Sequence, residues 1–169
     1  MPILIDFFKT GNLGLLHIGS SFDEIVAYLG PPDGYTLANL ENIWLHNTDF
    51  ARKLTVIGFR YSCMEFCVNV ADKKLVWMQI YVEGDHGRDN PDYLVVPDAL
   101  AGDWLTFLAA QSYEQLRKWL DAVQIKHSVS SIVILVIQID IDIAIGLNIE
   151  IVMTDDHDRV YSVMLNADF

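Results

Sequence analysis

Asp140 and Asp142 stand either side of Ile141. On an extended chain they share one face about 6.6 Å apart, within the span of paired carboxylates that do acid–base work or clamp a metal ion. The same pair also makes a solvated strand face that resists edge pairing. The second reading is preferred, because nothing nearby supplies a third ligand or a sugar-stacking aromatic. Asp155, Asp156, His157 and Asp158 form a denser cluster with oxygen and imidazole ligands for a divalent ion. Its counterpart earlier in the chain, residues 70–74, is not a metal loop, so an acidic hairpin turn is expected. Cys63 and Cys67, four apart, would face one side of a strand at about 13 Å, too far to bridge. They read as reduced apolar strand residues and not as half of a zinc site. The histidines lack HxH or HExxH spacing, no G-x-S-x-G is present, and no glycine loop carries a phosphate-binding lysine. No catalytic, cofactor or metal residue is assigned.

The chain has 169 residues, 52% of them hydrophobic. That is enough to bury roughly two thirds of the unfolded surface without a disulfide or metal, and it excludes global disorder. The net charge is −12. Such a chain repels phosphates before contact, so nucleic acid is not an expected partner, and a basic protein is. Residues 1–6 form neither a basic n-region nor a long apolar h-region, and residues 128–139 fall short of a membrane span before Asp140. The expected location is the cytoplasm.

The elements that would position these residues show an internal plan. Residues 19–30 align with 110–121 at a shift of 91: Ser21 with Ser112, Phe22 with Tyr113, Ile25 with Leu116, Leu29 with Leu120. Each block opens on a capping box, Ser21-x-x-Glu24 and Ser112-x-x-Gln115, and continues with apolar residues at i, i+3 and i+7. The first helix must stop at Gly30, before Pro31 and Pro32. Residues 64–80 align with 149–165 at a shift of 85, each block reading as a hairpin with a polar corner. Strands are also expected at 42–46 and 54–61. From Val133 to Met153 the odd positions are apolar, with a turn near Asp142 or at 146–148. The run 132–137, apolar on both faces, reads as a central strand or an oligomer contact. Residues 95–110 fit either a short helix or a lead-in segment. The fold class is α+β: two tandem helix-plus-antiparallel-sheet repeats, helices packed on a mostly antiparallel sheet. The halves are 1–82 and 98–169, joined by a linker at 83–97 in one compact domain.

The stretch 18–32, a short helix ending in Leu29-Gly30-Pro31 ahead of several strands, resembles a recurring bacterial unit. That unit occurs in β-lactamase-inhibitor-protein-like domains and in small outer-membrane-assembly lipoproteins, where it implies protein binding. With an acidic chain it also resembles immunity proteins of polymorphic toxin systems. The likeness covers about 65 residues and transfers no functional residue.

The expectation is therefore a non-enzymatic, cytoplasmic protein-binding module, an acidic immunity protein that neutralises a basic bacterial toxin domain. Contacts are expected from Asp85, Asp89, Asp92, Asp140, Asp142, Asp155, Asp156 and Asp158, with Trp44 and Trp104 as aromatic anchors. One alternative is a small-molecule-binding protein or hydrolase using Asp140, Asp142 and His157. Another is a structural homodimer formed through 132–137.

Overall fold

The structure is a computed structural model that describes residues 2–39, 55–82, 96–133, 136–144, 147–153 and 159–167. Helix α1 (Pro2–Thr10) begins with proline, whose missing N–H costs nothing in a first turn. Its Leu4, Phe7 and Phe8 are buried at helical spacing, and Gly11, at φ +75°, closes it with an N–H to the Phe7 carbonyl at 2.8 Å. Helix α2 (Phe22–Leu29) starts on the expected capping box and ends at Gly30, φ +86°. A 3₁₀ turn (Asp98–Leu100) leads into α3 (Trp104–Ala109), so residues 95–110 hold a short helix. Helix α4 (Tyr113–Ala122) carries the second capping box, Ser112 with Gln115.

The strands are β1 (Gly34–Asn39), β2 (Thr55–Tyr61), β3 (Met64–Asn69), β4 (Leu75–Tyr81), β5 (Ser128–Val133), β6 (Val136–Ala144), β7 (Leu147–Met153) and β8 (Val160–Ala167). They form one antiparallel sheet in the order β1-β2-β3-β4-β8-β7-β6-β5. The α+β class holds. Each half runs from a capped helix into a four-strand meander, and the meanders meet at β4 and β8. The hairpin registers carry the shift of 85: Met64 opposes Ile80 as Ile149 opposes Leu165, and Phe66 opposes Met78 as Ile151 opposes Val163.

The core lies between the helices and one sheet face. Phe22 of α2 meets Phe59 of β2 edge-on at 5.1 Å, and Phe59 stacks on Phe66 at 5.8 Å. In the other half Leu116 and Leu120 of α4 are fully buried, and Phe8 of α1 meets Trp119 at 6.0 Å. The start of α2 is stitched to the β3–β4 corner: Gly19 N–H donates to Leu75 O at 2.8 Å, and Phe22 N–H to Lys73 O at 3.0 Å.

Two expectations are corrected. The run 132–137 is no single central strand. It straddles a hairpin, β5 ending at Val133 and β6 starting at Val136, with β5 at the end of the sheet. Continuous apolar composition marks burial and cannot reveal a turn within it. Cys63 and Cys67 do not share a face. Cys63 sits in the β2–β3 corner beside Ser62 (φ +51°) and joins the main core, whereas Cys67 points to the opposite sheet face. The expected strand at 42–46 and most of the linker lie outside the described residues.

Candidate functional site

Strand alternation sends one set of side chains to the helices and the other to the opposite face. No described helix residue joins the apolar cluster on that second face, which comprises Val56, Cys67, Val76 and Trp77, with Met164 against it. Burial raises the Cys67 thiol to about 12, with a smaller push from the Glu65 carboxylate, and raises Cys63 to about 11.

Register lines up this face in rows. One row runs Arg60, Glu65, Gln79, Met164, Glu150, Asp140, Ser128 from β2 across to β5. The next runs Cys67, Trp77, Asn166, Asn148, Asp142 from β3 to β6. A third carries Tyr81, Ser162, Val152, Gln138 and Ser130. Among the described residues in these rows, Glu65, Glu150, Asp140 and Asp142 are set against one cation, Arg60, which stands opposite Glu65. Asp142 is exposed, while Asp140 and Glu150 are half-buried.

Asp140 is held in place. Ser130 Oγ donates to its Oδ2 at 2.8 Å, and Gln138 Nε2 donates to its Oδ1. Tyr81 O–H donates to Glu65 Oε2 at 3.1 Å. These bonds fix carboxylates at an apolar-backed surface, where a cation meets them with little rotamer entropy left to lose.

The sequence-derived site residues fare unevenly. Asp140 and Asp142 do share a face. Trp104 is buried at 1% exposure, with its indole N–H given to the Leu100 carbonyl at 2.9 Å, so it offers a partner no surface. A large aromatic anchors a core as well as an interface, and the local sequence cannot tell which. Trp44, Asp85, Asp89, Asp92, Asp155, Asp156, His157 and Asp158 lie outside the described residues. Glu65, Trp77, Asn148, Glu150 and Asn166 were missed as site residues. Asn148 and Glu150 had a signal, since both continue the period-2 polar series through Asp140 and Asp142.

Ser20 and His17 resemble a nucleophile–base pair at 3.2 Å, but Ser20 is 2% exposed and its Oγ accepts the His17 backbone N–H at 3.1 Å. The hydroxyl closes a turn. Among the described residues no three His, Cys, Asp or Glu side chains gather as a metal site, and no helix is long and apolar enough to cross a membrane.

No protein-family model matches the chain, and neither a curated protein nor a solved structure does.

Proposed function

We propose that this chain is a non-enzymatic, cytoplasmic protein-binding module that docks a basic protein through the acidic end of the sheet face that no described helix covers. The observation that carries the reading is the segregation of the two faces. Described helices cover one, and the other gathers Glu65, Asp140, Asp142 and Glu150. Carboxylates gathered on neighbouring strands make a field that draws a cationic partner. The sequence resemblance gives the partner its form, a basic toxin domain whose active face the acidic sheet occludes. The matched hairpin registers support descent of both halves from one duplicated unit.

The test is kinetic. The purified protein is mixed with the basic protein encoded beside its gene, and the association rate is followed from about 50 to about 300 mM salt. Steering by the acidic face slows association by about tenfold or more across that range. A salt-independent rate, or a neighbouring product that does not bind, rejects the proposal.

A further inference from the structure

We infer that the outer edge of β5 takes an extended basic segment of the partner as a ninth strand, with Lys or Arg side chains reaching Asp140 across Ser128 and Ser130. The inference rests on the protein-binding reading above and names the contact that holds the partner. β5 ends the sheet, and among the described strands β6 alone pairs with it. Alternate residues of such a strand turn their N–H and C=O groups outward, where they template another strand. Edges that must not pair carry charges or proline. Residues 128–131, Ser-Val-Ser-Ser, carry neither. Ser128, Val129 and Ser130 are exposed. The register shift between Ser131 and Val133 confines the straight template to those four residues.

Charge selects the occupant. One row crosses all eight strands: Gly34, Arg60, Glu65, Gln79, Met164, Glu150, Asp140, Ser128. It ends on a small residue at either edge. One strand in from β1 it carries the cation Arg60, and one strand in from β5 the anion Asp140 with Glu150 behind it. A basic segment is therefore repelled at β1 and drawn to β5. A second copy of this chain is not, because edge-to-edge pairing brings Asp140 and Glu150 of two chains together at a net charge of −12 each.

The two faces of β5 set the pattern of the segment. On the acidic face Ser128 and Ser130 are short. Ser130 Oγ donates to Asp140 Oδ2 at 2.8 Å and Gln138 Nε2 donates to Oδ1, which holds the carboxylate and leaves lone pairs for a cation. A residue on the added strand opposite either serine stands two strand spacings from β6, about 10 Å, a gap that an extended Arg or Lys spans above the serines. On the other face Val129 stands opposite Ile139. Ile139 is fully buried and Val129 is 47% exposed, so the apolar cover ends between β6 and β5. An apolar residue opposite Val129 extends it. The segment that fits alternates basic with apolar residues.

The test titrates the nitrogen-15-labelled protein with the capped peptide Gly-Arg-Val-Arg-Val-Arg-Gly-amide, with its glutamate-for-arginine analogue, and with two analogues N-methylated on the arginines or on the valines. The arginine peptide is expected to shift the backbone amides of residues 128–131 saturably, and the glutamate peptide not. A strand turns alternate N–H groups toward its neighbour, so one methylated analogue should lose about tenfold or more in affinity and the other should bind nearly as the parent does. Asp140→Asn should weaken the peptide about threefold, and Val129→Lys, which charges the edge, about tenfold. The methylated analogues act on the unaltered protein and decide the matter if a variant does not fold. Equal binding of both, or shifts at β1 in place of β5, overturns the inference. So does a dimer of the free protein that Val129→Lys makes monomeric, which gives the edge to a second copy. Shifts confined to Asp142 and Glu150, with the β5 amides unmoved by the peptide and by the basic neighbouring protein, overturn the added strand and leave the docking face standing. No shift anywhere, in a protein that also fails to bind that neighbour, overturns both.

Discussion

Gln79 stands directly opposite Met164 where β4 meets β8, and the other pairs at that seam are reflected about them: Trp77 with Asn166 on one side, Tyr81 with Ser162 on the other. Gln79 and Met164 are themselves related by the shift of 85 that relates the two hairpins. A two-fold relation of this kind joins the meanders edge to edge and consumes two strand edges that would otherwise invite aggregation. It also extends one face across eight strands, wide enough for a protein to dock on.

The capping boxes make the first prediction. Ser21 Oγ accepts the Glu24 N–H at 3.2 Å, and Ser112 Oγ the Gln115 N–H at 3.4 Å. Ser21→Ala and Ser112→Ala should each cost about 1 kcal/mol in urea denaturation. The two costs should add, because the helices share no cap partner. Hydrogen bonds from the Ser21 backbone and then its side chain lower the Glu24 carboxyl below its ordinary value. Their contribution is present above the ordinary carboxylate range and is lost as pH falls through the depressed value, so the Ser21→Ala defect should shrink in acid.

Gly14 makes the second. It sits at φ +64°, and a Cβ there would lie 2.3 Å from the Tyr28 hydroxyl, which donates to the Ala99 carbonyl at 3.0 Å. Gly14→Ala should therefore destabilise by about 1–3 kcal/mol through strain and the displaced tyrosine. Gly34→Ala, with nothing within 4 Å of its Cβ, serves as the control and should cost much less in the same denaturation series.

How much of this was legible in the sequence follows from which signals are local. Serine caps, apolar helical stripes and strand alternation lie within a dozen residues, and alternation pins hairpin register because a one-residue slip inverts every side chain. The helices α2 and α4, the registers and the shared face of Asp140 and Asp142 were readable for that reason. Helix α1 was not, although Leu4, Phe7 and Phe8 sit at i, i+3 and i+4, because nine residues led by Pro-Ile-Leu-Ile give too short a period to separate from a strand. Trp104 was misjudged because its burial is decided by α3 and the turn before it. That Glu65 shares a row with Glu150 and Asp140 was beyond reach, since they are brought into line only by the order of the strands between them.

The third prediction concerns the thiols. With folded values raised to about 11 at Cys63 and about 12 at Cys67 by burial, both stay neutral where an exposed thiol ionises. A raised folded value contributes stability that is whole below the unfolded value near 9 and is lost as pH climbs through the folded one. Urea midpoints should hold to about pH 9 and fall between there and about 12. Alkylation of the native protein at neutral pH should be no faster than unfolding.

Core truncation gives the fourth. Ile25 of α2 and Leu116 of α4 are both fully buried. Ile25→Ala and Leu116→Ala should each cost about 2–5 kcal/mol. Loss of one helix contact should lower protection in both meanders by hydrogen exchange if the seam makes them one cooperative unit. Protection lost in one meander alone would divide the sheet into two.

The most direct measurement of the central claim is chemical-shift mapping of the complex with the basic neighbouring protein. The account predicts shifts gathered on Asp140, Asp142, Asn148 and Glu150, with Lys9, Arg117 and Lys118 on the helices unmoved. Shifts gathered on α1 and α4, with the sheet face unchanged, would contradict it.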